Sequence, residues 1–240
     1  MFNSDATTIW VYLSASPLTG ITITLVAYGL ADRLYTRADR NQLLNPLVVS
    51  VALLIVFLMA TDTSYEAYFE GGQFVHFLLG PATVALAVPL YEQISRLRKI
   101  WLSVSISLAL GVTVSTVCSI AIARLLGASA QTQLSIAPKS VTTPVAMAIS
   151  KQIGGLPSLT AVLVVITGIF GSIVGLRLLR LIGIRDDSVK GIAMGLTAHG
   201  LGTASSLQVS AEMGAFSGLA MALSALFASV LVPWIVGLLG

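Results

Sequence analysis

The sequence predicts an all-α polytopic membrane protein, and three observations carry that prediction. Of its 240 residues, 56% are hydrophobic and 10% are charged, whereas a soluble domain carries about 25% charge. Mean hydropathy is +0.93, with apolar stretches of membrane-spanning length recurring along the chain. Lys and Arg gather in short loops, where they report orientation. The formal charge of +3 is too small and too dispersed to suggest a nucleic-acid partner. The lipid bilayer is the expected environment.

Residues 1–16 hold no Lys or Arg, so they lack the basic start of a cleaved signal peptide. Ala6 to Leu13 reads as a short interfacial piece. Pro17 opens a span to about Tyr35, with Arg33, Arg37 and Arg40 at its end. A second span runs from Pro46 to Ala60. The loop Thr61 to Gly72 carries Asp62, Glu66 and Glu70 and no basic residue. A third segment, Gln73 to Ile94, is interrupted by Gly80–Pro81 and Pro89, because proline removes a backbone donor and breaks a helix. Arg96, Arg98 and Lys99 precede a clean span from Ile100 to Leu126. Cys118, the one cysteine, has no internal partner and reads as a small packing residue.

A polar link then leads to Ala137-Pro-Lys-Ser-Val-Thr-Thr-Pro-Val-Ala146, and a span follows from Leu156 to about Leu179. Arg177, Arg180, Arg185 and Lys190 cluster at its end. Residues 191–212 form another interrupted segment rich in Gly, Thr, Ser and His, and the last span is Phe216 to Gly240.

Basic loops stay in the cytoplasm. With the N-terminus outside, 33–40 falls inside, 61–72 outside, 96–99 inside and 127–137 outside. The cluster at 177–190 stays inside only if 138–153 dips in and returns. This gives about seven crossings plus one re-entrant segment, with the C-terminus cytoplasmic. Eight crossings with an outward-facing cluster is the alternative. A duplication accompanies this count. Pro46-Leu-Val-Val-Ser-Val-Ala-Leu-Leu-Ile55 matches the pattern of Pro157-Ser-Leu-Thr-Ala-Val-Leu-Val-Val-Ile166, and Gly80-Pro-Ala-Thr83 that of Gly200-Leu-Gly-Thr203. Residues 1–240 then form one transmembrane domain, with halves 46–126 and 157–240 related by inversion. Residues 80–91 and 200–212 would be unwound near the midplane. Inverted repeats with broken helices mark secondary transporters.

Irregular backbone at membrane depth is tolerated where it is buried in protein or lines a wet cavity, and an ionisable residue there is a functional candidate. The expected binding residues are therefore Lys139, Ser140, Thr142 and Thr143 in the opening stretch, Thr83 in the first interrupted segment, and His199, Gly200, Gly202, Thr203 and Ser205 in the second. Hydroxyls and half-helix N–H groups hydrogen-bond a polar solute, and Lys139 supplies countercharge for a carboxylate. The alternatives are a snorkelling surface lysine and Gly, Ser and Thr used for helix packing. His199 is either a proton carrier or a hydrogen-bonded interior histidine. His76 reads as interfacial, and Glu92 and Glu212 as solvated ends. Two distant histidines and one cysteine give no metal spacing. No nucleophile–base–acid motif or phosphate-binding glycine loop is present, so neither an enzyme nor a cofactor is expected.

The stretches Gly80-Pro-Ala-Thr-Val-Ala-Leu-Ala-Val-Pro-Leu-Tyr91, Pro138-Lys-Ser-Val-Thr-Thr-Pro-Val-Ala146 and Ala198-His-Gly-Leu-Gly-Thr-Ala204 resemble the LrgB/CidB family of bacterial membrane proteins, which includes the YohK-like proteins. The resemblance covers the chain from about residue 40 onward. It departs after Ala204, where Ser205 and Ser206 stand in place of the family's Arg-Ala, removing an expected cation. The resemblance implies a small holin-like partner of the LrgA/CidA type and links to murein hydrolase control. A related plastid protein carries glycolate and glycerate, and some bacterial relatives are tied to pyruvate uptake. The expected function is a bacterial inner-membrane carrier of small organic carboxylates, proton-coupled or exchanging. Spans 46–60 and 100–126 would contact a second copy, in a homodimer, or the small partner. A regulator or pore component of a holin-like system is the rival. A cation/proton antiporter is disfavoured, since no spanning core holds a carboxylate.

Overall fold

A computed structural model describes residues 16–39, 41, 44–78, 81, 88, 91 and 94–239. Among these residues there are nine helices and no strand. The chain divides into two compact units, Met1–Ala85 and Leu86–Gly240.

In the first unit, α1 is Pro17–Arg37, α2 is Pro46–Ala60 and α3 is Tyr65–Phe77. Proline opens α1 and α2, where its missing N–H is no loss and its fixed φ suits a helix. Asn45 caps α2, its Oδ1 accepting the Leu47 N–H at 3.0 Å. Helix α1 packs on both α2 and α3. Gly20 permits the close approach to α3, since a Cβ there would lie 2.6 Å from the Tyr68 carbonyl oxygen. The Thr24 and Tyr68 hydroxyls share a hydrogen bond of 2.8 Å beside it. The acidic stretch expected as a loop is helical from Tyr65, with the Ser64 hydroxyl accepting the Ala67 N–H at 3.2 Å. Thr83 and Glu92, and most of the segment 80–91, lie outside the described residues, as does the side chain of His76.

In the second unit, α4 is Ile94–Leu125, α5 Ala130–Ile136, α6 Thr143–Ile153, α7 Pro157–Leu181, α8 Asp187–Leu207 and α9 Ala211–Leu239. Three stretches here, Arg98–Leu125, Pro157–Leu181 and Ala211–Leu238, are long and apolar enough to cross a membrane. At ~1.5 Å per residue, the longest reach ~42 Å.

Packing fixes their directions. Val104 and Leu108 of α4 pack with Ala220 of α9, and Val112 clusters with Ala228 and Val232. Both helices advance together, so they run parallel. Along α7 the order reverses: Gly175 faces Met194 of α8, Gly171 faces Ala198, and Gly168 faces His199. The start of α4, the end of α7 and the start of α9 therefore share one end of the unit. Arg96, Arg98, Lys99, Arg177, Arg180, Arg185 and Lys190 lie at this basic end. Arg124 and Lys151 lie toward the far end.

Helix α8 does not continue straight. His199 has φ 41° and ψ −125°, and the chain turns back there. Gly202 then packs on its own helix, where a Cβ would fall 2.9 Å from the Ala198 Cβ. Ser210 reaches Asp187 at 2.7 Å. Residues 187–210 thus enter and return to the same end. This corrects two expectations: 191–212 does not cross, and 200–207 is helical, the break being confined to His199. The physical cause is a row of small residues. A Cβ at Gly191 would lie 3.1 Å from the Phe216 Cβ, and one at Gly195 3.0 Å from the Ala220 Cβ. The fold-back buries both against α9 by backbone contact that larger residues would forbid.

Candidate functional site

Two broken segments supply the expected binding residues that are described. The first is the α5–α6 segment, with its break at residues 137–142. Pro138 and Pro144 cannot continue a helix across this stretch. Thr142 is the N-cap residue of α6 and Thr143 its first helical residue. Ser140 is buried, and its hydroxyl meets that of Ser115 on α4 at 2.7 Å. The Thr116 hydroxyl donates to the Ala137 carbonyl at 3.4 Å. Lys139 is half-buried, and its Nζ lies 3.5 Å from Ser140 Oγ. Among the described residues no carboxylate pairs with it. A small cleft joins Ser115, Thr116, Ser140 and Ala228.

The base of this segment is held by hydroxyls. The Thr160 hydroxyl lies 2.9 Å from the Ser135 carbonyl oxygen and 2.7 Å from Ser150 Oγ. Ser135 Oγ accepts the Leu156 N–H at 2.8 Å. All three side chains are fully buried. Gly154, at φ 89°, ends α6 in the left-handed conformation, as glycine readily allows. The chain leaves Ser135 and comes back to it by Leu156.

The second broken segment is α8. The ring of His199 is buried, and its Nε2–H donates to the Val164 carbonyl at 3.1 Å. The absence of a side chain at Gly168 makes room for the ring, since a Cβ would lie 2.6 Å from its Cε1. Thr203 donates to the His199 carbonyl at 3.0 Å and shares a 3.0 Å hydrogen bond with Ser217 of α9. Ser205 donates to the Leu201 carbonyl at 3.0 Å. Gly200 is exposed, with nothing within 4 Å of where its Cβ would sit. Glu212 lies in the first turn of α9, where the helix dipole favours a carboxylate.

The two breaks lie at similar depth. Ser115 is ~15 Å from the end of α4 at Leu125, and Val164 and Gly168 are ~10–16 Å from the start of α7 at Pro157, at ~1.5 Å per residue. Val164 connects the breaks: its side chain clusters with Ala137, Val141 and Ala146, while its carbonyl holds His199. Ser115, Thr116, Gly168 and Ser217 were not foreseen. Glycines 168, 171 and 175 at helical spacing carried a packing signal. Cys118 is exposed, which corrects its expected packing role. Among the described residues no cluster of His, Cys, Asp and Glu could hold a metal.

Comparison with known proteins gives consistent relatives. Residues 24–238 match the model of the LrgB-like family. The holin-like protein CidB of Staphylococcus epidermidis is 32% identical over 213 residues, covering 89% of this chain and 93% of its own. The uncharacterized protein YwbG of Bacillus subtilis is 33% identical, covering 89% and 94%. The antiholin-like protein LrgB of Bacillus mycoides is 30% identical over 225 residues, covering 94% and 98%. No solved structure matches the chain.

Proposed function

This chain belongs to the LrgB-like family of multi-pass membrane proteins, and on that premise we propose that it is a secondary carrier of small organic carboxylates in a bacterial inner membrane. The observation that carries this is the pair of broken helical segments whose interruptions lie at one depth beside three spanning helices. Broken helices at such depth belong to transporter sites. Lys139 is the cation of the site, with no carboxylate to neutralise it among the described residues. The Ser140, Thr142, Thr143, Thr203 and Ser205 hydroxyls, with the backbone at Gly200 and Gly202, supply hydrogen bonds that fix orientation without adding net charge. Glycolate-, glycerate- or pyruvate-like anions suit one cation and several neutral donors. His199 is the group available to carry a proton with the solute. No residue here acts as an enzyme nucleophile, and no cofactor is required.

A small membrane protein of the kind paired with holin-like systems is the proposed partner, and a dimer the proposed assembly. The relatives' names, holin-like and antiholin-like, favour a second reading: a regulator or pore component that moves no carboxylate and acts on murein hydrolases. Flux of labelled glycolate, glycerate and pyruvate into proteoliposomes, with and without the small partner, separates the two. Uptake by the purified chain supports the carrier. Its absence under both conditions supports the regulator.

A further inference from the structure

We propose that the α8 hairpin is a movable gate on the cytoplasmic face, held shut at its tip by the hydrogen bond from His199 to the Val164 carbonyl. The proposal rests on the carrier reading and adds the moving part and the side to which it opens.

The argument begins with the ends of the hairpin. Asp187 and Ser210 are bonded to one another, so both lie at the basic end of the second unit. Asp186 caps the entering arm, its Oδ1 accepting the Ser188 and Val189 N–H groups at 2.9 and 3.2 Å. Asp187 also pairs with Lys190 at 2.5 Å. This base is firmly built. Seven Lys and Arg residues mark the same end (96, 98, 99, 177, 180, 185 and 190), against Arg124 and Lys151 toward the other. The excess places it in the cytoplasm. The hairpin therefore enters from the cytoplasm, and Leu239 at the far end of α9 emerges outside. The proposal thus puts the C-terminus outside, where the sequence predicts the cytoplasm.

The α5–α6 segment enters from the opposite end. It follows the far end of α4 and leads into the far end of α7. Two hairpins thus approach a common depth from opposite faces. The two are held differently. The α5–α6 segment is tied to α7 by the buried node of Ser135, Ser150 and Thr160. Among the described residues, the α8 tip is tied to α7 by one side-chain hydrogen bond, from a residue in a backbone conformation that L-amino acids rarely adopt, and to α9 by the buried Thr203–Ser217 bond. Such strain persists only while the surroundings hold it. Next to that bond, nothing lies within 4 Å of where a Gly200 Cβ would sit. A few residues that absorb a large φ/ψ change are what a hinge requires. His199 is thus a positioning residue for the gate.

The test needs no substrate. In a Cys118→Ser background, a Ser140→Cys variant, whose side chain is buried while the hairpin is shut, is treated with a membrane-impermeant maleimide in inside-out and right-side-out vesicles. Labelling should be fast from the inside-out preparation and slow from the other. Adding His199→Ala should speed inside-out labelling about fivefold, the value of one neutral hydrogen bond in an opening equilibrium. Adding His199→Gln, whose amide can still donate to the Val164 carbonyl, should leave the rate close to the parent's. Labelling only from right-side-out vesicles, no labelling from either, or a rate indifferent to His199→Ala would overturn the proposal. Flux of the unaltered protein is measured separately. Loss of the carrier reading leaves the labelling result standing, and labelling failure leaves flux untouched.

Discussion

Ser210 donates its hydroxyl hydrogen to Asp187, 23 residues earlier in the chain, at 2.7 Å. A straight helix would separate them by ~35 Å at ~1.5 Å per residue. This bond therefore turns a stretch that looks like a membrane crossing into a hairpin closed at its base. Hydrogen bonds from Lys190 and then Ser210 hold the Asp187 carboxyl below its ordinary 3.8. A carboxyl with a lowered folded pKa stabilises the fold above its unfolded pKa. That contribution fades as pH falls through the ordinary range toward the lower folded value. Ser210→Ala should leave the protein folded at neutral pH, lower its melting temperature in detergent by a few degrees (about 1 kcal/mol for one hydrogen bond), and move its acid transition to higher pH. An acid transition unchanged in Ser210→Ala would show that the base bond contributes nothing.

Glycine replacements should divide sharply along α8. At Gly195 a new Cβ would be driven into the Ser217 carbonyl oxygen, a backbone atom that cannot swing aside. Gly195→Ala should cost ~1–3 kcal/mol, as overpacking does. At Gly200 the same change meets open space, and alanine is the better helix former by ~1 kcal/mol, so stability should hold or rise. Detergent melting curves of the two variants decide the matter. Equal effects would mean that the α8–α9 contact is not the tight backbone pairing described.

His199 should invert a familiar ranking. Within a helix Gly is less stable than Ala by ~1 kcal/mol. At φ 41°, Ala is strained and Gly is not, by ~1–3 kcal/mol. Both replacements lose the bond to Val164, so their difference isolates the backbone. His199→Gly should melt above His199→Ala, and the opposite order would show that the turn at 199 is not held in that conformation.

Much of the second unit was legible in the sequence because apolar length and proline position act locally. Pro157 begins its helix, and α4, α7 and α9 follow from runs that only a bilayer or a core can accommodate. The fold-back of α8 was not legible. Ala-His-Gly-Leu-Gly inside an apolar helix fits either a kinked crossing or a hairpin, and the choice is made by contacts with Met213, Ser217 and Ala220 on a separate helix. Ser140 was recognisable as a polar residue at depth. Its partner Ser115 was not, since a lone serine in an apolar span usually bonds its own helix. The expected unwinding of 200–212 failed because consecutive small residues permit tight helix packing as readily as they permit extended chain.

Lys139 should separate binding from folding. Lys139→Ala removes the countercharge and leaves the fold's hydroxyl contacts in place. Charge-assisted hydrogen bonds are worth ~1.5–3 kcal/mol, so apparent affinity for a carboxylate should weaken about ten- to a hundredfold. Concentration dependence of uptake, with expression measured in parallel, checks this. Unchanged affinity would reduce the lysine to an interfacial anchor.

The carrier claim is tested most directly by counterflow. Proteoliposomes holding the purified chain are loaded with an excess of unlabelled glycolate, and uptake of labelled glycolate is followed over a range of outside concentrations. A carrier whose site alternates between faces must saturate, and the inside load must change the rate of labelled entry. Uptake that rises in proportion to concentration and ignores the inside load, or current steps of single-channel size from the same protein, would contradict the account and establish a pore.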